Sequence, residues 1–160
     1  MKNRTAVSET MAEGEYSFER VNDALVDVFN NVMWIEEASL RESEYNDITL
    51  KDMHIIAAIG GKNDVSASRL AETVHVTPST MTSAIDKLVR KGYVLRHRDE
   101  TDRRLVMIAL THKGRVVNRA HDAFHRGLTH ALFDQIKQTD TLKIQTAVIR
   151  LQAYLHQLVE

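Results

Sequence analysis

The chain has 160 residues, 43% of them hydrophobic, with one proline, six glycines and no cysteine. That composition fits one globular domain with a real core, and it excludes both a disulfide framework and a thiolate metal site. The net charge of −1 hides an uneven distribution: residues 1–65 carry 6 basic and 13 acidic side chains, residues 66–115 carry 10 and 5, and residues 116–160 carry 5 and 4. The basic excess therefore lies mid-chain, where a polyanionic partner would be met. No apolar run approaches the ~20 residues that span a bilayer, and the N-terminus lacks the apolar core of a signal peptide. A cytoplasmic protein without a membrane partner is the expectation.

Residues 1–16 are polar and aperiodic and read as a mobile leader. Ser17 is placed to cap a long first helix, about 17–41, in which Phe18, Val21, Leu25, Val28, Val32 and Ile35 recur at three- and four-residue spacing. From Val32 to Ile35 the pattern is apolar all round, so this helix needs more than one partner. A core face plus a subunit interface accounts for it; a ligand pocket is the alternative.

Thr49 and Asp52 have the spacing of a capping box, and the helix they open runs from Leu50 to Ile59 before Gly60 and Gly61. Its core stripe is Leu50, Met53, Ile56 and Ala57, with His54 alongside. Ser66 caps the next helix, with Leu70, Ala71 and Val74 inward, and His75-Val76-Thr77 forms a turn. Thr77 caps a further helix whose first residue is Pro78, where a missing N–H costs nothing. Met81, Ile85, Leu88 and Val89 face the core, and Gly92 ends the helix. Its other face shows Ser79, Thr80, Thr82, Ser83 and Lys87. Small hydroxyls at a helix N-terminus let a backbone approach DNA closely and contact phosphates and base edges.

Tyr93–Arg98 and Leu105–Leu110 read as two strands joined by a charged tip that contains Asp102, Arg103 and Arg104. Two adjacent arginines on a projecting hairpin suit the minor groove, and Asp102 is placed to orient one of them. Thr111 caps a long helix carrying Val117, Ala120, Phe124, Leu128, Ala131 and Leu132. A last helix, about 139–158, carries Ile144, Ala147, Val148, Leu151, Leu155 and Leu158. The predicted fold is mainly α with a small β wing: a winged helix-turn-helix at about 49–111, flanked by dimerisation helices at about 17–41 and 111–159. These make one domain, 17–160. Such a dimer presents two reading helices to a pseudo-palindromic duplex at sites about 34 Å apart. An enzyme is not expected, because the chain has no glycine-rich phosphate loop, nucleophile motif or H-E-x-x-H.

The run Asp102-Arg103-Arg104 through Leu110-Thr111-His112-Lys113-Gly114, with Ser79-Thr80-Met81-Thr82 and Leu88-Val89-Arg90-Lys91-Gly92-Tyr93, resembles the MarR family of winged-helix repressors. Within that family, Phe29-Asn30-Asn31-Val32, Ile35-Glu36-Glu37, Met53-His54, Lys91-Gly92-Tyr93-Val94 and Phe124-His125 resemble the regulators of fatty-acid synthesis genes. The resemblance implies a dimeric repressor of lipid-synthesis genes, with acyl–acyl carrier protein as co-repressor and no required cofactor. Phe29, Met33, Trp34 and Met53 are compatible with an adaptable pocket for an acyl chain or another small apolar ligand, and core packing explains the same residues.

Eight histidines accompany the absent cysteines. His121 and His125 are spaced i, i+4, as two ligands of one metal ion require, and His54 with Glu37 would complete a tetrahedral site. The same spacing after the Leu-Thr pair is similar to that of zinc-responsive MarR members, so a zinc-controlled repressor is the alternative reading. A hydrogen-bonded polar cluster is the other use of the same side chains.

Overall fold

The computed structural model describes residues 17–60, 64–102 and 105–159. The leader assigned to 1–16, Gly61, and the wing arginines Arg103 and Arg104 lie outside the described residues. The chain divides into two compact units, the first ending at Ser43 and the second beginning at Glu44.

In the first unit α1 spans Phe18–Glu42, and Ser17 caps it by accepting from the Arg20 N–H at 3.4 Å. The apolar positions at three- and four-residue spacing form this helix as expected. Phe18, Val21, Leu25, Val28, Phe29, Met33 and Trp34 nevertheless all stand exposed.

The second unit holds α2 (Leu50–Gly60), β1 (Val65–Ser66), α3 (Ala67–Thr73), α4 (Pro78–Arg90), β2 (Val94–Arg98), β3 (Val106–Leu110), α5 (His112–Phe133) and α6 (Gln138–Gln157). Its sheet is antiparallel with strand order β1-β3-β2, pairing Val65 with Ile108 and His97 with Met107. The core gathers where α2 packs on α5 and α3 on α4, closed by the sheet. Ile56, Ile59, Leu70, Met81, Ile85, Leu88, Tyr93 and Ile108 are fully buried there.

The apolar stripe of α2 is wider than the spacing suggests. Ile55 and Ile59 are buried, whereas Leu50 and Ala57 are half-exposed, because this helix meets α5 and also α3 and β3. Val74 and Val89, expected inward, are half-buried. Strand β1 is too short to leave a period-two signal, and Ser66 serves both as its last residue and as the N-cap of α3. Tyr93 precedes β2 rather than opening it. It follows Gly92, whose φ of +75° ends α4 in the left-handed conformation that glycine takes without strain.

Candidate nucleic-acid interface

Helix α4 begins as its sequence dictates. Thr77 Oγ1 accepts from the Thr80 N–H at 3.2 Å and shares a 2.8 Å contact with the Thr80 hydroxyl, and Pro78 occupies the first turn. Pro78, Ser79, Thr80, Thr82 and Ser83 are all exposed, on the face opposite the buried Met81, Ile85 and Leu88. Two hydroxyls are turned back on the helix: Thr82 donates to the Pro78 carbonyl at 2.9 Å and Ser83 to the Ser79 carbonyl at 3.1 Å. Their protons are thereby engaged, and their oxygens present lone pairs outward, suited to a donor such as a base amino group.

The turn before α4 places His75 at φ 53°, with Val76 donating back to the Ala71 carbonyl at 3.0 Å. This tight connection holds α3 against α4 and leaves the first turn of α4 projecting.

Lys87 is not free on that face. Its ammonium lies 2.5 Å from Asp52 Oδ2, and the Asp52 side chain is only 6% exposed. The same oxygen accepts from the Thr49 N–H and hydroxyl, both at 2.8 Å, while Thr49 Oγ1 accepts from the Asp52 N–H at 3.2 Å. Burial raises the Asp52 pKa, but the Lys87 and Thr49 hydrogen bonds outweigh it and hold the carboxyl below its ordinary value. The reciprocal cap was readable in the sequence. The ion pair was not, since 35 residues separate its members. The neighbouring Asp86 accepts from Arg96 on β2 at 2.5 Å, tying α4 to the wing as well.

The wing tip is organised by Asp99. Its Oδ1 accepts from the Thr101 N–H at 2.8 Å, the Thr101 hydroxyl at 2.5 Å and the Asp102 N–H at 2.9 Å. Those bonds, the Thr101 hydroxyl first, lower its pKa. Asp102 contributes its carbonyl, which accepts from the Leu105 N–H at 2.9 Å, and Asp99 N–H closes the hairpin on the Leu105 carbonyl. The Asp-x-Thr spacing is the available sequence signal for such a turn. At the base of the wing, His97 Nε2 lies 2.6 Å from Asp64 Oδ1 and its Nδ1 lies 3.2 Å from the Arg98 carbonyl.

Behind the interface, Tyr93 is completely buried, and its hydroxyl donates to Asp47 Oδ1 at 2.5 Å. Lys113 sits 3.9 Å above the Tyr93 ring, Tyr45 packs edge-on at 6.3 Å, and Lys91 donates to the Asp47 carbonyl. Burial first, then the Asp47 bond, pushes the Tyr93 hydroxyl well above its ordinary pKa, and that same bond lowers Asp47. The Thr111 hydroxyl donates to the Gly92 carbonyl at 2.7 Å and accepts from the Gly114 N–H at 3.1 Å, capping α5 on the end of α4.

Of the candidate metal ligands, three come together within the second unit. The His54 and His121 rings stack edge-on at 5.5 Å, and His121 and His125 at 4.4 Å with 3.1 Å between their Nε2 atoms. Glu37 is exposed on α1, where the buried carboxylate is Glu36. Of the candidate pocket residues, Phe29, Met33 and Trp34 stand on α1, 54%, 51% and 66% exposed, and Met53 is a buried residue of α2.

A two-helix reader with an exposed hydroxyl-lined first turn, backed by a two-stranded wing, defines a winged-helix protein. The chain belongs to the MarR family, whose model matches residues 48–106, the stretch from α2 through the wing. It is similar to the crystal structure of Streptococcus pneumoniae FabT in complex with DNA, at 37% identity and a TM-score of 0.79, covering 89% of this chain and 99% of that one. It is 31% identical over 85 residues to the HTH-type transcriptional regulator BilQ of Clostridium symbiosum, covering 52% of this chain and 59% of the relative. The HTH-type transcriptional regulator SarZ of Staphylococcus aureus matches at 32% over 71 residues, covering 44% and 48%. The chain thus spans about half the length of the curated relatives it matches. The family is one of transcriptional regulators, not enzymes. Among the described residues, no helix is long and apolar enough to cross a membrane.

Proposed function

We propose that this protein is a cytoplasmic, dimeric, DNA-binding transcriptional repressor that controls fatty-acid synthesis genes. The observation that carries the reading is the first turn of α4: an exposed patch of Pro78, Ser79, Thr80, Thr82 and Ser83 on a helix braced by the wing and by α2. The similarity to FabT bound to DNA, over nearly the whole of both chains, supports placing that patch in the major groove. Arg103 and Arg104 are assigned to the minor groove, with Asp102 as their orienting neighbour. The exposed apolar residues of α1, Phe29, Met33 and Trp34 among them, supply surface for a second copy and for an acyl chain. The co-repressor we assign is acyl–acyl carrier protein.

The test is a mobility-shift titration on duplexes selected from a randomised pool. Binding that favours pseudo-palindromes and tightens with long-chain acyl–acyl carrier protein is expected. Binding unaffected by the acylated carrier removes the lipid assignment and leaves the DNA-binding one; no duplex binding removes both.

The histidine stack supports a second reading, a zinc-responsive repressor. Two ligands of one tetrahedral zinc ion lie about 3.3 Å apart, close to the 3.1 Å between His121 and His125. His54, His121 and His125 would hold the ion. Calorimetric titration with zinc that shows no uptake excludes it.

A further inference from the structure

The residues that face DNA are fewer than the polar face of α4 suggests, because Asp86 and Lys87 are committed to partners on other elements. Lys87 meets Asp52 at 2.5 Å, Asp86 meets Arg96 at 2.5 Å, and beyond the helix end Lys91 donates to the Asp47 carbonyl. Two of these three ties lead to one short segment, 47–52, which is the turn and capping box that open α2. We propose that Asp52 and Asp47 are positioning residues that fix the reading helix from this segment, and that Lys87 acts through Asp52 rather than on a phosphate. The inference rests on the DNA-binding reading above.

The chemistry favours the inward role. The three donors that converge on Asp52 Oδ2 are the Thr49 N–H, the Thr49 hydroxyl and the Lys87 ammonium, and only the last carries charge. Withdrawing Lys87 to reach a phosphate would leave a buried carboxylate without its cation, which costs more than one solvated phosphate contact returns. The second tie works at the other end of the segment. Asp47 Oδ1 accepts from Tyr93 at 2.5 Å and its Oδ2 lies 3.9 Å from Lys113, so the turn is anchored to the residues that terminate α4 and open α5. A shift of segment 47–52 therefore moves the last two turns of the reading helix with it, whereas the hydroxyl patch at its first turn is carried along as a rigid body. The signal for this device is absent from local sequence, because the members of each pair lie 35 or more residues apart.

The experiment compares wild type, K87M, D52N and the double variant on the duplex that wild type selects from a randomised pool, across about 50–200 mM salt. We expect K87M and D52N each to weaken binding by about tenfold, the double variant to be no weaker than the worse single one, and the salt slope to match wild type in all three. A K87M slope lower by about one counterion makes Lys87 a phosphate contact and overturns the proposal. Unchanged or tighter binding by D52N overturns it too. D52N also loses part of a helix cap, so each variant is melted by circular dichroism. Should D52N be unfolded at the assay temperature, the K87M slope alone decides, since that side chain is 36% exposed and its loss leaves the core filled. A wild type that retains no duplex overturns the DNA-binding reading and this one together. A binding wild type with a reduced K87M slope overturns this one alone.

Discussion

Two single residues show how tightly the reader is built. Gly114 lies in the first turn of α5, and a Cβ there would stand 2.2 Å from the Tyr93 carbonyl oxygen and 3.2 Å from Leu110 Cδ2. The carbonyl is main chain and also accepts from the Thr111 N–H at 3.0 Å, so it cannot swing aside. Gly114→Ala is expected to cost about 2 kcal/mol or more in a denaturant melt, by forcing α5 off the end of α4. The glycine was legible through its place in the family pattern, but its reason was not, because Tyr93 and Gly114 are remote in sequence. His75 poses the opposite case. It holds φ 53° in the turn between α3 and α4, where a side chain pays for the left-handed conformation. His75→Gly is expected to stabilise by up to about 1 kcal/mol, and His75→Val to destabilise, in the same melt. An equal melting point for all three would mean that the turn relaxes freely.

At the scale of elements, every helix and both wing strands were readable in the sequence, since capping residues, Pro78 and Gly92 mark the starts and stops and the apolar spacing marks the faces. What escaped was what long-range pairing creates. Strand β1 exists only because Val65 finds Ile108, and the wing base is clamped only because Asp64 finds His97 across β3. The Lys87–Asp52 pair escaped for the same reason: its two members stand on different helices. The His97–Asp64 contact has a testable pH dependence. His97 is held above its ordinary value of 6.5, first by the Asp64 bond, then by the Arg98 carbonyl, against a smaller opposing effect of burial. A raised histidine contributes stability that is complete below the unfolded value and is lost as pH rises through the folded value. Amide protection in β2 should therefore be greatest below about pH 6.5 and decline above it as the ring loses its proton. Asp64→Asn should bring the His97 titration, read by ring proton shifts, down toward its ordinary value and flatten the protection profile. A His97 titration unmoved by that change would mean that the contact does not hold the proton.

At the scale of the whole molecule, the terminal helices ask for a partner. Helix α6 has no buried residue, although Leu142 is 68% exposed, Leu155 44% and Leu158 64%, and the last turns of α5 expose Leu128 and Leu132. The apolar spacing of these helices marks that face in the sequence. A face left bare along both fits the dimer proposed above. Burying one leucine is worth about 2 kcal/mol, and a glutamate in its place adds an unpaired buried carboxylate. Leu155→Glu is thus expected to weaken self-association by roughly two decades or more, read by sedimentation equilibrium. Among the described residues none of α6 is fully buried, so the monomer should keep its melting profile in the winged helix. On DNA the consequence is specific. A monomer carries one α4 and one wing, so its counterion release, and with it the salt slope, should fall to about half that of the dimer, while its preference for a single half-site persists. A variant that stays dimeric, or a monomer with an undiminished slope, would place the pairing surface elsewhere than on α6.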